Sequence, residues 1–380
     1  MISNKAKEMT PFIVMEVLEE AVKMENNGID VIHLEVGEPD FPVPDCVKEA
    51  LIEAAESGSN SYTHSLGDND LREAISYFYN KKYNVSTKPE QVIVTSGSSP
   101  AIMLALSTIL NPGDEVIISD PGYACYENFI RYCDGVPVSV PVYERDQFEF
   151  CPQLIKSAIT DKTKAVLINS PMNPTGRVMS KEAMQTVADL GIMVISDEIY
   201  HGLIYEGEER SILEFTDNAI VLNGFSKAYA MTGLRLGYMV VPEALVRTIQ
   251  TMQQNLFICA NSLSQRAGIA ALKDADKDVD SMRNQYDKRR KFMIKRLREI
   301  GFKIDVEPTG AFYVFVNASH LGGDSYELAF DILREAHVAC TPGIDFGRNA
   351  EGYLRFSYAN SLENIAKAMD RLERYVKSRT

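Results

Sequence analysis

Six short apolar runs alternate with helical patterns between residues 92 and 240, and this alternation constrains the fold more than any other feature of the chain. The runs are VIVTS, EVIIS, AVLIN, MVISD, AIVLN and LGYMV, which begin at residues 92, 115, 165, 193, 219 and 236. Segments such as AIMLALSTIL and KEAMQTVADL lie between them. Continuous apolar strands separated by helices are typical of a mostly parallel sheet covered on both faces. The sequence therefore predicts a large, doubly wound α/β domain.

The pattern changes near residue 278, where a long charged helical stretch precedes the strand-like segments FKIDVE, AFYVFVNA and YLRFSYA. This order predicts a smaller α+β domain. An amphipathic helix over roughly residues 11–26 and the Gly- and Pro-containing segment DVIHLEVGEPDFPVP would join it. We therefore predict a large domain over residues 46–277 and a discontinuous small domain over residues 1–45 and 278–380, which closes over a cleft at the carboxyl ends of the strands.

Composition excludes several classes of protein. A net charge of −14 without a basic cluster argues against a nucleic-acid partner. The N-terminal segment MISNKAKEMTPF lacks the apolar region of a signal peptide, and the apolar-rich run at 101–110 is too short to span a bilayer, so we predict a cytoplasmic protein with no membrane partner. Six scattered cysteines and five histidines show no ligand spacing, so neither a metal site nor a disulfide is predicted.

The segment NGFSKAYAMTGLRLGY, residues 223–238, places Lys227 among small and apolar neighbours and Arg235 eight positions later. Desolvation lowers the pKa of a lysine amine and frees it as a nucleophile that forms a Schiff base with a carbonyl. The guanidinium of Arg235 would supply a positive charge for a phosphate or carboxylate. On the motif alone, a loop lysine beside a packed strand is an equally good interpretation.

This segment resembles the lysine signature of the class I/II pyridoxal-phosphate aminotransferases, the aspartate-aminotransferase-like branch of fold type I, in which that lysine carries the cofactor. Order, spacing and neighbours all match, and the resemblance extends from the N-terminal helix through Arg355. It implies a large domain that binds pyridoxal 5′-phosphate (PLP), a smaller α+β domain, and attachment of the cofactor to Lys227.

The resemblance also assigns cofactor contacts to motifs that are weak alone. SGSSPA at 96–101 is a turn before a predicted helix, which suits a phosphate, whereas DPGY, NSPMNPTG and SDEIYHG each follow a predicted strand, where a turn or cap is the ordinary interpretation. By resemblance, the phosphate contacts are Ser98, Ser99, Ser226 and Arg235, the ring contacts are Tyr123 and Asp197, and the phenolic oxygen contacts are Asn173 and Tyr200. Gly224 stands where many relatives have serine, and Ser226 would compensate for the missing contact.

Three further residues follow from the resemblance. Arg355, in EGYLRFSYAN, matches the arginine that binds the substrate α-carboxylate, and Gly37 and Asn173 complete the predicted substrate site. Without the resemblance, a surface arginine on an edge strand is the better interpretation of Arg355. Tyr62 matches the tyrosine that reaches the neighbouring subunit's phosphate, which implies a homodimer with a shared active site.

The implied activity is ping-pong transamination, with Lys227, Asp197 and Tyr200 as catalytic residues. An L-amino acid would give its amino group to a 2-oxo acid such as 2-oxoglutarate or pyruvate. Phe12, Ile13 and Val14 predict an apolar entrance, which favours neutral or aromatic amino acids. Three alternatives stay open: an aspartate-specific aminotransferase, a PLP-dependent C–S β-lyase, and a non-catalytic regulatory module of the same fold.

Overall fold

The computed structural model describes residues 2–379. In this range the α-helices are α1 Asn4–Glu8, α2 Ile13–Asn26, α3 Asp45–Glu56, α4 Asn69–Tyr83, α5 Ser98–Ile109, α6 Cys125–Tyr132, α7 Pro152–Ala158, α8 Lys181–Ala188, α9 Glu243–Leu256, α10 Ser262–Asp274, α11 Asp276–Ile300, α12 Ser325–Ala336 and α13 Leu362–Lys377. The β-strands are β1 Ile32–His33, β2 Val92–Thr95, β3 Glu115–Asp120, β4 Val136–Pro141, β5 Thr163–Asn169, β6 Met193–Asp197, β7 Ala219–Gly224, β8 Gly237–Val240, β9 Tyr313–Asn317, β10 Val338–Ala339, β11 Thr341–Pro342 and β12 Tyr353–Ser357.

Seven strands form the central sheet in the order β2-β8-β7-β6-β5-β3-β4. All neighbouring pairs from β7 to β4 are parallel, and β8 is antiparallel to both β7 and β2. The prediction of a mostly parallel α/β sheet is confirmed, and each of the six predicted strands is present.

Helices cover both faces of this sheet, and the side chains of each strand divide between them. Along β5, Ala165 and Leu167 belong to the apolar cluster that includes helix α5, whereas Val166 and Ile168 belong to the cluster that includes helix α4. Because successive side chains of a strand point to opposite faces, both sets are buried only if both faces are covered. This double burial explains why the strands are apolar without interruption.

Two predicted features differ from the structure. The sequence analysis missed strand β4, which lies at the edge of the sheet and contains Pro137 and Pro141. Proline is tolerated on an edge strand because its missing N–H costs no ladder hydrogen bond there, so VPVSVP does not look like a strand in the sequence. The predicted strand FKIDVE is wrong, because this segment forms only an isolated bridge between Lys303 and Asn317.

The two smaller sheets bring distant parts of the chain together. Strands β11, β12 and β9 form an antiparallel sheet that carries Arg355, and β1 pairs in parallel with β10. Helix α2 packs its Val17 and Ala21 against Phe330 and Leu333 of helix α12. These contacts join the N-terminal segment to the C-terminal part of the chain, as the predicted discontinuous domain requires; the bounds 46–277, 1–45 and 278–380 stay predictions.

Across residues 2–379, no helix is both long and apolar enough to cross a membrane. In the same range, no group of three His, Cys, Asp or Glu side chains is arranged to hold a metal ion. All six cysteines are free thiols, and only Cys340 is fully buried.

Candidate active site

The candidate site lies at the carboxyl ends of three neighbouring strands, β5, β6 and β7, where Asn173, Asp197 and Lys227 come together. The amine of Lys227 donates a hydrogen bond to the carbonyl oxygen of Gly37 at 2.7 Å. It lies 6.0 Å from the ring centroid of Tyr200. Desolvation lowers the pKa of this amine to about 8, and the positive charges of Arg355 and Arg235 act in the same direction. An amine with this pKa is a far better nucleophile at neutral pH than an ordinary lysine.

Asp197 is the last residue of β6, and its side chain is buried. Its carboxylate accepts a hydrogen bond from the Tyr126 hydroxyl at 2.7 Å and one from the backbone N–H of Ile199 at 3.2 Å. Burial nevertheless raises the pKa of Asp197 to about 6. A cation close to this carboxylate would favour its ionised form and so keep it charged at neutral pH. A protonated ring nitrogen is a cation of this kind. The sequence analysis missed Tyr126, whose only signal is its place three residues after Tyr123.

A phosphate fits at the start of helix α5, whose first residue is Ser98. A Cβ on Gly97 would lie 2.6 Å from the Arg235 Nη2 atom, so only glycine lets this guanidinium approach the helix N-terminus. Backbone N–H groups, the helix dipole and an arginine together form an anion site. Ser98 is half-buried, Ser226 is buried and Ser99 is exposed.

Gly224 occupies a position where a side chain would fit tightly. A Cβ there would lie 3.0 Å from both the Gly237 Cα atom and the Leu236 carbonyl oxygen, because β7 and β8 approach closely. Serine at position 224 would therefore require a small local shift between β7 and β8. The effect of this glycine on phosphate binding stays a prediction.

Arg355 is buried on strand β12, so the surface interpretation of this arginine is wrong. Its guanidinium donates to the Asn173 Oδ1 atom at 2.7 Å, to the Thr341 hydroxyl at 3.0 Å and to the Glu35 carbonyl oxygen. Within residues 2–379, its Nε atom has no hydrogen-bond partner. Because the Asn173 Oδ1 atom accepts from Arg355, the amide N–H groups of Asn173 remain available as donors.

Two aromatic rings hold Arg355 in place. Its guanidinium carbon lies 4.3 Å from the ring centroid of Tyr313 and 4.8 Å from that of Phe346. The Tyr313 hydroxyl is in turn 2.8 Å from the Tyr200 hydroxyl. A Cβ on Gly37 would lie 1.8 Å from the Tyr313 Oη atom, which explains the glycine at this position. The sequence analysis missed Tyr313, and nothing in AFYVFVNA distinguishes this residue from an ordinary strand tyrosine.

Of the remaining predicted residues, Tyr123 lies in an aromatic cluster and Tyr62 lies at the surface. Tyr123 meets Tyr126 edge to face with ring centroids 5.2 Å apart, and Phe12 meets Tyr123 in the same manner at 6.0 Å. Tyr62 is not buried in this cluster and is 82% exposed.

The donor set fits PLP in each of its parts. A desolvated lysine is available for the aldehyde, a helix N-terminus with an arginine for the phosphate, a buried carboxylate for the ring nitrogen, and a second arginine for a substrate carboxylate. The sheet and this site define a PLP enzyme of fold type I.

The chain belongs to the family of class I and II aminotransferases, whose model matches residues 29–372. It is 41% identical over 380 residues to the (5-formylfuran-3-yl)methyl phosphate transaminase of Methanocaldococcus jannaschii, covering 99% of this chain and 100% of the relative. It is 39% identical to an aspartate aminotransferase of Pyrococcus horikoshii, over 95% of this chain and 93% of the relative. A mutant aspartate aminotransferase of Thermus thermophilus has a similar structure, with a TM-score of 0.94 at 36% identity over 98% of this chain and 99% of that one. The protein is therefore a PLP-dependent aminotransferase.

Proposed function

We propose that this aminotransferase moves the amino group of a neutral or aromatic L-amino acid to a 2-oxo acid such as 2-oxoglutarate or pyruvate. The observation that carries this proposal is the aromatic pair that Phe12 forms with Tyr123, the residue proposed for the cofactor's ring face, with ring centroids 6.0 Å apart. An aromatic edge of this kind favours an apolar side chain over a charged one.

In this proposal, Lys227 holds the cofactor and then acts on the substrate. PLP, when bound, accepts the electron pair left at the substrate α-carbon. The Lys227 amine would move the proton from the substrate α-carbon to the cofactor's C4′ carbon, and in the opposite direction when the 2-oxo acid acceptor reacts. A pKa of about 8 leaves part of the amine unprotonated near neutral pH, which suits a general base. The Gly37 carbonyl oxygen, 2.7 Å from the amine, orients it.

The other side chains bind and orient. Arg355 binds the substrate carboxylate, and Asn173 orients the Arg355 guanidinium through the bond at 2.7 Å. Asp197 keeps a proton on the cofactor's ring nitrogen, and Tyr200 and Asn173 donate toward its phenolic oxygen. The phosphate is held by Ser98, Ser99, Ser226 and Arg235, with Tyr123 on the ring face.

Charge also favours a neutral donor. A cavity of about 720 Å³ adjoins Tyr123 and Phe346, and four of its lining residues carry carboxyl groups: Glu16, Asp120, Glu127 and Asp345. Two arginines line the same cavity, but Arg131 is already paired with Glu127 at 3.3 Å. A substrate side chain that reached this cavity with a second carboxylate would meet acidic surroundings, which disfavours aspartate. Of the three predicted entrance residues, Val14 is buried, and Phe12 is the one whose ring contacts Tyr123.

A panel of amino donors tests this proposal. Alanine, leucine, phenylalanine, tyrosine and aspartate would each be assayed with 2-oxoglutarate and with pyruvate, and the first half-reaction followed by the cofactor's absorbance. We expect kcat/KM for a neutral or aromatic donor to exceed that for aspartate. A clear preference for aspartate would refute the proposal.

A second candidate acceptor comes from the Methanocaldococcus jannaschii relative, which by its name acts on (5-formylfuran-3-yl)methyl phosphate. Identity of 41% over the whole chain favours it, and Arg348, exposed on the same cavity, offers a cation for a phosphate. An aromatic aldehyde that bears a phosphomethyl group, added to the acceptor panel beside the same aldehyde without phosphate, decides between the two. Faster turnover of the phosphorylated aldehyde than of either 2-oxo acid supports this second candidate.

The homodimer with a shared site is also part of the proposal. Tyr62 is 82% exposed in the isolated chain, as expected of a residue that contacts a partner subunit. Mixing the Lys227→Ala and Tyr62→Ala variants tests the arrangement, because in a mixed dimer both substitutions fall in one site and leave the other intact. Statistical mixing should restore about a quarter of the wild-type sites. Activity no greater than the sum of the two variants would exclude a shared site.

A further inference from the structure

Tyr313 contacts both the cofactor side and the substrate side of the site, and none of the roles proposed above includes it. It is the first residue of strand β9, and its hydroxyl lies 2.8 Å from the hydroxyl of Tyr200. Its ring faces the Arg355 guanidinium at 4.3 Å. No room separates Tyr313 from the Gly37 loop, because a Cβ on Gly37 would overlap its hydroxyl oxygen. Tyr313 is therefore fixed by contacts on three sides.

The protons available on the two hydroxyls determine which of them donates the hydrogen bond that joins them. A tyrosine hydroxyl carries one proton, so it can donate only one hydrogen bond at a time. If Tyr200 donates into the site, the proton between the two oxygens must come from Tyr313. Burial raises the pKa of both hydroxyls, so both remain protonated, and the charge of Arg355 opposes this rise at both. Arg355 stacks on the Tyr313 ring at 4.3 Å, and its positive charge there favours Tyr313 as the donor of the hydrogen bond.

Ring packing fixes the positions of the two hydroxyl oxygens. The Tyr200 ring meets Tyr313 edge to face at 5.8 Å and Phe312 edge to face at 5.5 Å. The charged groups around the pair are Arg355 beside Tyr313 and Lys227 beside the Tyr200 ring, and Lys227 is itself influenced by Glu38, Arg235 and Asp197.

We propose that Tyr313 is a positioning residue that donates its proton to Tyr200, directs the Tyr200 proton toward the cofactor's phenolic oxygen, and holds the Arg355 guanidinium flat for the substrate carboxylate. One side chain thereby sets the orientation of a cofactor contact and of a substrate contact. This proposal rests on the roles proposed above for Tyr200 and Arg355.

The Tyr313→Phe variant separates the two contributions, because it removes the hydroxyl and keeps the ring. A hydrogen bond to the phenolic oxygen stabilises its charged form, so weakening that bond should raise the pH midpoint of the bound cofactor's visible absorption band. We expect a rise of about half a unit to one unit, the size of one neutral hydrogen bond.

Turnover should fall while KM for the donor changes less than about twofold, since Arg355 keeps its stacking partner. Tyr313→Leu, which lacks the ring, should raise that KM as well.

Tyr358→Phe is the matched control, because the Tyr358 hydroxyl is equally buried but bonds to the Ala311 carbonyl oxygen at 3.3 Å. It should leave the midpoint unchanged. Thermal unfolding of each variant confirms that it is folded, and the absorbance titration requires no turnover.

A double-mutant cycle with Tyr200→Phe distinguishes failure of this proposal from failure of the proposed function. If Tyr313 acts through Tyr200, the double variant should have the same midpoint as Tyr200→Phe alone. A midpoint unaffected by Tyr200→Phe would refute the role of Tyr200 itself. If Tyr200→Phe shifts the midpoint, then no shift in folded Tyr313→Phe, or two shifts that simply add, would overturn the role of Tyr313.

Discussion

The cofactor side and the substrate side of this site are assembled differently. Asn173, Asp197 and Lys227 follow three neighbouring strands of one sheet, so the parallel topology alone brings them together. Gly37 and Arg355 come from a loop near the N-terminus and a strand near the C-terminus, and they meet through the smaller sheets. Local motifs therefore identify the cofactor, whereas the substrate depends on contacts between distant segments.

The buried carboxyl group of Asp197 and the partly buried one of Asp345 show the same contrast in electrostatic terms. Burial raises the pKa of both Asp197 and Asp345 to about 6. Asp345 accepts hydrogen bonds from the backbone N–H groups of Ile13 and Val14 at 2.9 and 3.3 Å, and so holds the start of helix α2. Asp197 faces the site, where a cationic ring nitrogen can join it. Binding of PLP should therefore lower the pKa of Asp197 and leave the pKa of Asp345 unchanged.

The largest expected effect is on the cofactor side. Lys227→Ala removes the side chain that is proposed both to attach the cofactor and to act as the base, and we expect turnover to fall by about 10⁴-fold or more. Borohydride reduction followed by mass spectrometry should show no covalent cofactor adduct. Lys162→Ala, an exposed loop lysine, serves as the control and should behave as wild type. Appreciable turnover by folded Lys227→Ala would contradict the assignment of this lysine.

The two carboxyl groups provide a direct test of the comparison. Asp197→Asn replaces the proposed partner of the ring nitrogen by a neutral amide, and turnover should fall about 10²- to 10³-fold, the usual cost of losing one preorganised electrostatic contact. Asp345→Asn makes the same change in the partly buried carboxyl group and should leave the cofactor's absorption spectrum unaltered. Equal effects of the two substitutions on the spectrum would break the distinction between the two sides.

The pH dependence of stability should distinguish the same pair. A carboxyl group whose folded pKa is about 6, above its unfolded value of roughly 4, holds its proton more tightly in the folded state, so its contribution to stability falls as pH rises from about 4 to 6. A shift of about two units corresponds to about a hundredfold in the folding equilibrium. In the cofactor-free protein, Asp197→Asn should flatten this slope in denaturant unfolding curves. In the cofactor-loaded protein, Asp197→Asn should leave the slope unchanged. Asp345→Asn should flatten the slope in the cofactor-free and in the cofactor-loaded protein alike.

On the substrate side, Arg355→Lys should act mainly through binding. Lysine keeps the positive charge but cannot bond Asn173, Thr341 and a carboxylate with one planar fork. We expect kcat/KM to fall about 10- to 100-fold, chiefly through KM, as for loss of one hydrogen bond to a charged group. The cofactor's absorbance before substrate is added should not change. A loss of kcat with an unaltered KM would place Arg355 on the cofactor side instead.

The sequence predicted what depends on local order and missed what depends on distant contacts. Continuous apolar runs identified six strands of the central sheet, because burial on both faces leaves a direct pattern in the sequence. Tyr126 and Tyr313 were missed because the hydrogen bonds that place them in the site join residues 71 and 113 positions apart. Arg355 could be placed only by resemblance, since its burial between Tyr313 and Phe346 leaves no pattern around it.

The smallest expected effect concerns the apolar edge of the substrate side. Phe12→Ala removes the ring that packs against Tyr123, and an aromatic pair of this kind contributes about 0.5 to 1.5 kcal/mol. We expect kcat/KM for phenylalanine or tyrosine to fall about 2- to 10-fold while that for alanine changes little, because a methyl group does not reach the ring. Tyr77→Ala, which removes an exposed ring from helix α4, is the control. If kcat/KM falls by the same factor for alanine and for the aromatic donors, Phe12 acts on the closure of helix α2 and not on the choice of donor. The choice of donor would then depend on the acidic cavity, and the substrate side would differ from the cofactor side in charge alone.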